Sequence, residues 1–447
     1  MMLEKCCAAL DRPSRPSPAR VPAGGATPVP SEYVSEQVAD VVIVGAGPAG
    51  TAAAITLAKA GKRVVVVDKA TFPRDKCCGD GLTTGALRRL QSLGLDPTTI
   101  PSWQPVEDIW ISSSSRRVLR FPLPRHHGLF AAVATRMDLD NALVELARGT
   151  GAEVLDGHAM TGATQDHDGV RIDVQGAAGS TGVITAPFAI GADGMWSPLR
   201  KLLAGPVKGG PTQPYLGEWH GYRQYFTNVT TEASRGLWIW FEPELLPGYA
   251  WCFPLPGGRV NLGFGIERTP GFATKQMKPM WDALLDRPGI RDVLGPHAVA
   301  ESPSKAWPIP ARVTDAVLAS GRTLFVGDAA LACDVLTGEG IGQALQTGEA
   351  AAQAIVAHGP HAAPVRVAYQ REVLDHLGPD HLMSSSLQRL LHSDLVCRGA
   401  VRISGTSNWT RTNFARWLFE DYARGIALTP RRWHRGLLSG EGAWAPH

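Results

Sequence analysis

The stretch Gly45-Ala46-Gly47-Pro48-Ala49-Gly50 constrains this chain more than any other. It fits G-x-G-x-x-G, and its flanks supply the context that the pattern alone lacks. Val41-Val42-Ile43-Val44 is a short apolar run, as expected of a strand buried on both faces. Residues 52–60, rich in Ala and Leu, read as a helix ended by Gly61, and residues 64–67 read as a second buried strand. Together they form one βαβ unit, the opening of a doubly wound sheet. The first glycine permits a tight turn, the second lets the backbone approach a pyrophosphate, and the third lets helix and strand pack closely. The helix N-terminus offers N–H groups and a positive dipole end to phosphates. Asp68 lies eighteen residues beyond Gly50, at the end of the second strand, where a carboxylate can bind ribose hydroxyls. Gly45, Gly47, Ala49, Gly50, Asp68 and the adjacent Lys69 are therefore candidate cofactor-binding residues.

With 447 residues, 44% of them hydrophobic and 19% charged, the chain has enough core for two or three domains. Residues 1–37 read as a disordered tail, because residues 11–30 are rich in Pro, Ser, Arg, Ala and Gly and bury too little to offset ordering entropy. Residues 106–121 read as strands with a turn at 112–115, residues 138–147 as a helix, and residues 153–190 as β-ribbons. The aromatic-rich residues 215–266 read as a mostly antiparallel sheet, and Leu324-Phe325-Val326 as another buried strand before a glycine-rich turn and helix. The expected fold is α/β. A split Rossmann-type domain covers 38–105, 130–205 and 315–365. A mostly antiparallel β-sheet substrate domain, inserted into it, covers 106–129 and 206–314. A helical C-terminal region covers 366–447.

A formal net charge of +3 with spread basic residues argues against nucleic acid as a partner. Seven cysteines in no framework argue against a secreted disulfide scaffold, and no Cys/His cluster has zinc spacing, so no metal is expected. No apolar run is long enough to span a membrane, and the N-terminus lacks the apolar core of a secretory signal. The expected location is cytoplasmic, with peripheral membrane contact left open.

NAD and FAD are both bound through G-x-G-x-x-G, and later segments decide between them. Gly191-Ala192-Asp193-Gly194, followed by Ser197 and Arg200, resembles the G-A-D-G segment of the flavin monooxygenase-type (p-hydroxybenzoate hydroxylase-type) superfamily. Leu324-Phe325-Val326-Gly327-Asp328-Ala329-Ala330, continuing to Gly338-Glu339-Gly340-Ile341-Gly342, resembles its second flavin segment. The resemblance spans roughly residues 39–350. It implies FAD, with Asp193 in the cofactor site, Asp328 holding a flavin-chain hydroxyl, and Gly340 and Ile341 at the pyrimidine edge of the isoalloxazine. There the helix dipole stabilises negative charge on reduced flavin. Arg136 matches the superfamily arginine that contacts FAD, and the strand ending near Met160 is where the family approaches the adenine.

Two further motifs narrow the family. Phe72-Pro73-Arg74-Asp75-Lys76-Cys77-Cys78-Gly79-Asp80-Gly81 resembles the P-R-D-K-x-C-G-x-G segment of geranylgeranyl reductase-like flavoproteins, which implies that Cys78, Gly79 and Gly81 line the flavin. Cys78 reads equally as a small buried residue in a tight turn. Tyr249-Ala250-Trp251-Cys252-Phe253-Pro254, then eight residues, then Gly263-Phe264-Gly265, resembles the same family's Y-x-W-x-F-P…G-x-G signature. Tyr249, Trp251 and Phe253 share one face of a strand, suited either to an isoprenoid chain or to an aromatic core stripe. The resemblance makes Tyr249, Trp251, Phe253, Pro254, Gly263 and Gly265 substrate-binding. The implied reaction reduces isolated isoprenoid double bonds of a prenyl lipid with hydride from reduced FAD, and Tyr249, Cys78 or a flavin-held water serves as proton donor. The electron donor is NAD(P)H or ferredoxin. Aromatic hydroxylation is the alternative. Halogenation is disfavoured, because the halogenase pattern G-W-x-W-x-I-P is here Gly248-Tyr249-Ala250-Trp251-Cys252-Phe253-Pro254. A non-catalytic flavoprotein or lipid-binding module would bind FAD without turning over a prenyl lipid.

Toward the C-terminus, Trp409, Phe414, Trp417, Phe419, Tyr422 and Trp433 lie among Arg411, Arg416, Arg424, Arg431, Arg432 and Arg435. Such a mixture suits a membrane interface, or a helical cap with its arginines in water.

Overall fold

A computed structural model describes residues 35–176, 179–207, 215–269, 272 and 274–446. The apolar run Val41–Val44 is a strand with every residue buried, at the centre of a six-stranded sheet. Across that sheet the strands run Ala319–Ser320, Thr323–Phe325, Phe188–Gly191, Val41–Val44, Val64–Asp68 and Glu153–Asp156. All pairings are parallel except the first, at the edge. The helix after the glycine turn is Pro48–Lys59. It begins before the expected residue 52 because Pro48 suits a first turn, where its missing N–H would have no partner anyway. This helix packs on Ile341–His358 so closely that a Cβ on Gly348 would fall 2.1 Å from the Ala49 carbonyl oxygen. The helix expected at 138–147 runs Arg136–Gly149, since Thr135 caps it by accepting the Asp138 N–H.

Beside this sheet, Thr181–Ala186, Val170–Gln175 and Ala159–Gln165 form an antiparallel ribbon. Ser35–Val38 joins it as a strand parallel to Thr181–Ala186, which corrects the tail boundary at 37. An edge strand needs backbone partners more than apolar side chains, so composition did not reveal it. The rest of the expected tail, residues 1–34, lies outside the described residues.

The second large sheet carries Trp219–Thr227, Arg259–Glu267, Tyr249–Leu255 and Leu237–Phe241 in antiparallel succession. The excursion Asp108–Ser113 and Val118–Pro122 extends it through a parallel pairing to Leu237–Phe241. Its two faces differ. Ala250, Cys252 and Phe264 face a core closed by Trp281 of the helix Met277–Leu285. Tyr249, Trp251 and Phe253 point the other way, as period-two alternation requires.

The C-terminal region contains the helices Ala362–Leu391, Asp394–Ser404 and Asn408–Leu418. The boundary placed at 365 is corrected: it falls inside the first of these. Val365, Tyr369, Val373 and Leu377 pack in the core of the parallel sheet, while Leu387, Leu390 and Leu391 reach a cavity between the sheets. The helix is continuous because nothing in its sequence stops it where its neighbours change, and even Pro379 is accommodated within it. Among the described residues, no helix is long and apolar enough to cross a membrane.

Gly348→Ala is expected to push two helices apart and to destabilise the protein by about 1–3 kcal/mol. Gly399→Ala, in a helix with open space at its Cβ position, should stabilise it by about 0.5–1 kcal/mol. Urea denaturation of both variants beside wild type reads the two opposite shifts.

Candidate active site

A cavity of about 1000 Å³ lies between the parallel sheet, the large sheet and the C-terminal helices. Every candidate site residue lines it except Gly50, Pro254 and Gly263. One end is the glycine turn. Gly45 has φ +108, and a Cβ there would lie 2.2 Å from the Ala192 carbonyl oxygen. Gly50 serves the same turn from behind, since its Cβ would lie 1.9 Å from the Gly45 oxygen. The third glycine of the motif thus permits close packing and does not touch the cavity. Asp68 braces the turn, accepting the Ala46 N–H at 2.7 Å and the Ala70 N–H at 2.8 Å. Gly47 gives the helix Pro48–Lys59 no side-chain cap, so its first N–H groups stay open toward the cavity. The helix Ile341–His358 also starts at the cavity, from Gly340, with its Gly342 N–H taken by the Glu339 carboxyl at 2.7 Å. Two helix N-termini facing one cavity, the first with its N–H groups open, fit an anionic dinucleotide, and these residues therefore suit FAD. Lys69 and Met160 lie along the same wall.

Three acids of the flavin segments are held differently from one another. Asp193 lines the cavity, but its carboxylate accepts Ser197 Oγ at 2.6 Å and the Leu199 N–H at 2.9 Å, capping the helix Pro198–Ala204. Its role in this structure is to shape the loop that meets Gly45. Asp328 pairs with Lys76 at 3.0 Å, and although burial opposes its charge, that ammonium holds its carboxyl below the usual range. Asp140, absent from the sequence candidates, is fully buried between Arg136 and Arg74. Arg136 binds it twice, at 2.7 and 2.8 Å, and Arg74 at 2.7 Å. Burial works against the Arg136 charge, but the Asp140 carboxylate more than offsets it.

The opposite wall is the strand Tyr249–Leu255. Its rings follow one another, with centroids 6.1 Å apart for Tyr249–Trp251 and 6.0 Å for Trp251–Phe253. The glycines around them make room. A Cβ at Gly81 would meet the Phe253 ring at 2.8 Å, and one at Gly263 would meet Trp251 at 2.3 Å. Gly263 thus stands behind the indole, while Gly265 reaches the cavity. Pro254 points into the opposite face of the sheet and lines nothing, which corrects its assignment to substrate: alternation along the strand turns it away from Phe253. The Tyr249 hydroxyl donates to the Thr337 carbonyl, tying the wall to the loop before Gly340. Burial pushes the Cys78 thiol up, so it is held protonated; its sulfur accepts the Asp80 N–H at 3.4 Å.

Sequence reasoning missed two clusters. In the first, Asp80 is fully buried with φ +66. Its Oδ2 accepts the Tyr225 hydroxyl at 2.6 Å and the Asn261 amide at 2.7 Å, while Oδ1 accepts the Arg136 N–H at 3.3 Å. Asn261 also donates to the Cys78 carbonyl at 2.8 Å and accepts the Trp251 indole N–H at 3.1 Å. Burial pushes Asp80 up to about 6 despite the Tyr225 and Asn261 hydrogen bonds. A polar residue inside the apolar strand Arg259–Glu267 was the available signal. In the second, Glu339 and Glu420 are neighbouring acids, and burial pushes both carboxyls up. Glu420 has Gln343, Thr83 and Arg424 as partners. Glu339 opens onto the cavity and accepts only the Gly342 N–H, at 2.7 Å, among the described residues. Glu339 sits inside a quoted motif and was legible there, whereas nothing in sequence brings Glu420 to it.

A glycine-turn cradle at two helix N-termini, walled by an aromatic strand, fits an FAD-dependent oxidoreductase. The FAD binding domain family matches residues 38–368. A menaquinone reductase of Mycobacterium tuberculosis is 35% identical over 345 residues, covering 70% of this chain and 76% of that protein. Digeranylgeranylglycerophospholipid reductase 1 of Methanopyrus kandleri is 32% identical over 330 residues, covering 71% and 80%. In fold, a geranylgeranyl bacteriochlorophyll reductase-like protein of Thermoplasma acidophilum matches with a TM-score of 0.72 at 20% identity, over 89% of this chain and 100% of that one. The chain belongs to the geranylgeranyl reductase-like family of FAD-dependent oxidoreductases.

Asp80 carries a pH prediction. Its folded value of about 6 stands above the ordinary 3.8, so the fold prefers its protonated form. That contribution is complete below the ordinary value and is lost as pH rises to about 6. Asp80→Asn should therefore gain in melting temperature relative to wild type between about pH 4 and pH 6, with a constant difference above. A thermal scan series across that range reads it, and a difference flat with pH would refute the assignment.

Proposed function

We propose that this protein is an FAD-dependent reductase that saturates isoprenoid double bonds of a prenyl lipid. The observation that carries the reading is the run Tyr249, Trp251 and Phe253, facing the flavin cradle across a cavity that continues between apolar helices. A long hydrocarbon chain finds there a continuous apolar surface. The relatives named for menaquinone and for digeranylgeranylglycerophospholipid support a prenyl-lipid substrate. When bound, FAD supplies the hydride, with electrons taken from NAD(P)H or ferredoxin.

The protein's own residues bind, orient and protonate. The Gly45 turn and the Pro48–Lys59 helix end would hold the pyrophosphate, Asp68 the ribose, and Arg136 and Asp328 the flavin side. The aromatic rings press the alkene toward the cradle and exclude water. Reduction places a hydride on one alkene carbon and a proton on the other as the π bond breaks. Tyr249 commits its hydroxyl hydrogen to the Thr337 carbonyl, and Cys78 is a weak acid with its pKa raised. Glu339 is the stronger acid: its carboxyl opens onto the cavity, and burial beside Glu420 keeps its proton in place. It gives that proton to the alkene and regains one from water. An FAD-dependent aromatic hydroxylase is the competing reading.

Anaerobic reduction with dithionite, followed by addition of a prenyl lipid, should restore the visible flavin band and yield a product heavier by two hydrogens. Reoxidation only by oxygen, with an aromatic compound gaining oxygen, would establish the hydroxylase instead. Glu339→Gln should bind and reduce FAD as wild type does, yet slow the lipid-dependent reoxidation by about a hundred- to ten-thousand-fold. The wild-type rate should fall as pH rises through the raised Glu339 value, because only the acid form donates, and the variant should lack that limb.

A further inference from the structure

The cavity reaches the surface beside the helix Asp394–Ser404, and that helix is divided around its circumference. At about 100° per residue, Leu395, Val396, Gly399 and Ile403 share one arc. Val396, Cys397, Ala400 and Val401 line the cavity on the adjoining arc. Arg398 and Arg402 occupy the remainder. A helix at a water-facing surface places polar residues outward. Here Leu395 is 71% exposed and Ile403 70%. Leu390, at the end of the neighbouring helix, is 56% exposed, and Val396 40%, while both also line the cavity. The apolar lining thus runs to the exterior without a polar break.

We propose that this helix docks on an anionic bilayer, with Leu395 and Ile403 inserted among the acyl chains and the gap between Leu390 and Val396 open to the membrane. The inference rests on the prenyl-lipid reading, since such a chain reaches the flavin from a bilayer without crossing water. Charge selects the occupant. Residues 389–411 hold Arg389, Arg398, Arg402 and Arg411 against the single acid Asp394. Arg398 pairs with Asp394 at 3.2 Å, and Arg389 and Arg402 are exposed at the rim. Phospholipid phosphates complement such a rim. A second copy brought to it by two-fold symmetry would face like charge with like, over a patch of a few side chains, far short of the roughly 800 Å² per partner that a stable dimer needs.

Vesicle flotation of the full FAD-bound protein tests this without any substrate, so its result is independent of whether a prenyl lipid is reduced. Wild type should float with phosphatidylcholine vesicles containing phosphatidylglycerol, and less with phosphatidylcholine alone. Leu395→Glu with Ile403→Glu should abolish flotation, and Arg389→Gln with Arg402→Gln should weaken it about tenfold or more on anionic vesicles. An unchanged flavin spectrum and melting temperature would show each variant folded. Wild type failing to float, the double glutamate variant floating as wild type does, or a wild-type dimer that this variant converts to monomer would each overturn the proposal.

Discussion

The Asp80 carboxylate stands where the two large sheets meet, and its hydrogen bonds fix how the flavin cradle faces the substrate wall. Tyr225 and Asn261 reach it from the large sheet, and the Arg136 N–H from the start of a helix on the parallel sheet. Asn261 carries the tie further, to the Cys78 carbonyl on one side and the Trp251 indole on the other. Each buried polar group left unpaired would cost about 1–3 kcal/mol, against a total stability of about 5–15 kcal/mol. The turn therefore has no inexpensive second position. With it fixed, Gly79 and Gly81 lie against the rings of Trp251 and Phe253, and the distance between cradle and wall is set by contact.

The same apolar wall that suits a hydrocarbon governs the acids around it. An apolar wall disfavours charge, so groups on it without a facing cation keep their protons, as Cys78, Tyr249 and Glu339 do, whereas Asp328 beside Lys76 does not. Charge neutrality then selects among them. Arg424 is buried beside Asp334 and Glu420, 3.4 Å from each. One guanidinium cannot neutralise three neighbouring carboxylates. Glu339 makes no ion pair among the described residues, and Arg424 offsets only part of the burial and the Glu420 charge that push its carboxyl up, so it is the one left to be neutral. Proton supply to an alkene thus follows from burial together with a shortage of positive charge, and no dedicated base is required.

Much of this was legible from sequence, and the limits were physical. The Gly45 turn announces itself because a positive φ and a missing Cβ restrict the residue to glycine, so the constraint is written in one letter. Alternation exposed the Tyr249 face because a strand has a strict period. It should also have excluded Pro254, which falls on the wrong parity. Asp193 and Asp328 carry the same side chain in similar motifs, and only neighbours distant in sequence separate a helix cap from an ion pair with Lys76. Glu420 and Asn261 join the site through contacts spanning 77 to 337 positions, which no local pattern encodes. Ser35–Val38 was lost to the tail because a strand paired along its edge asks little of its side chains.

Composition misleads most at the C-terminus, where aromatic and arginine residues together suggest an interface but do not say which way they point. The structure turns Phe414, Trp417 and Phe419 inward to the cavity, and buries Arg416 against Asp421 and Arg424 against Asp334. Those arginines are the counter-charges of a cap, not the rim of a membrane face. Trp409 and Trp433 do point outward, but outward apolar residues also sit earlier, at Leu395 and Ile403, where no aromatic draws attention and only the spacing of eight shows that they share a helix face. An arginine's role is decided by the acid count around it. Arg416 and Arg424 lie among carboxylates and close the cavity, whereas Arg389 and Arg402 are exposed with no ion pair among the described residues and leave their charge at the surface.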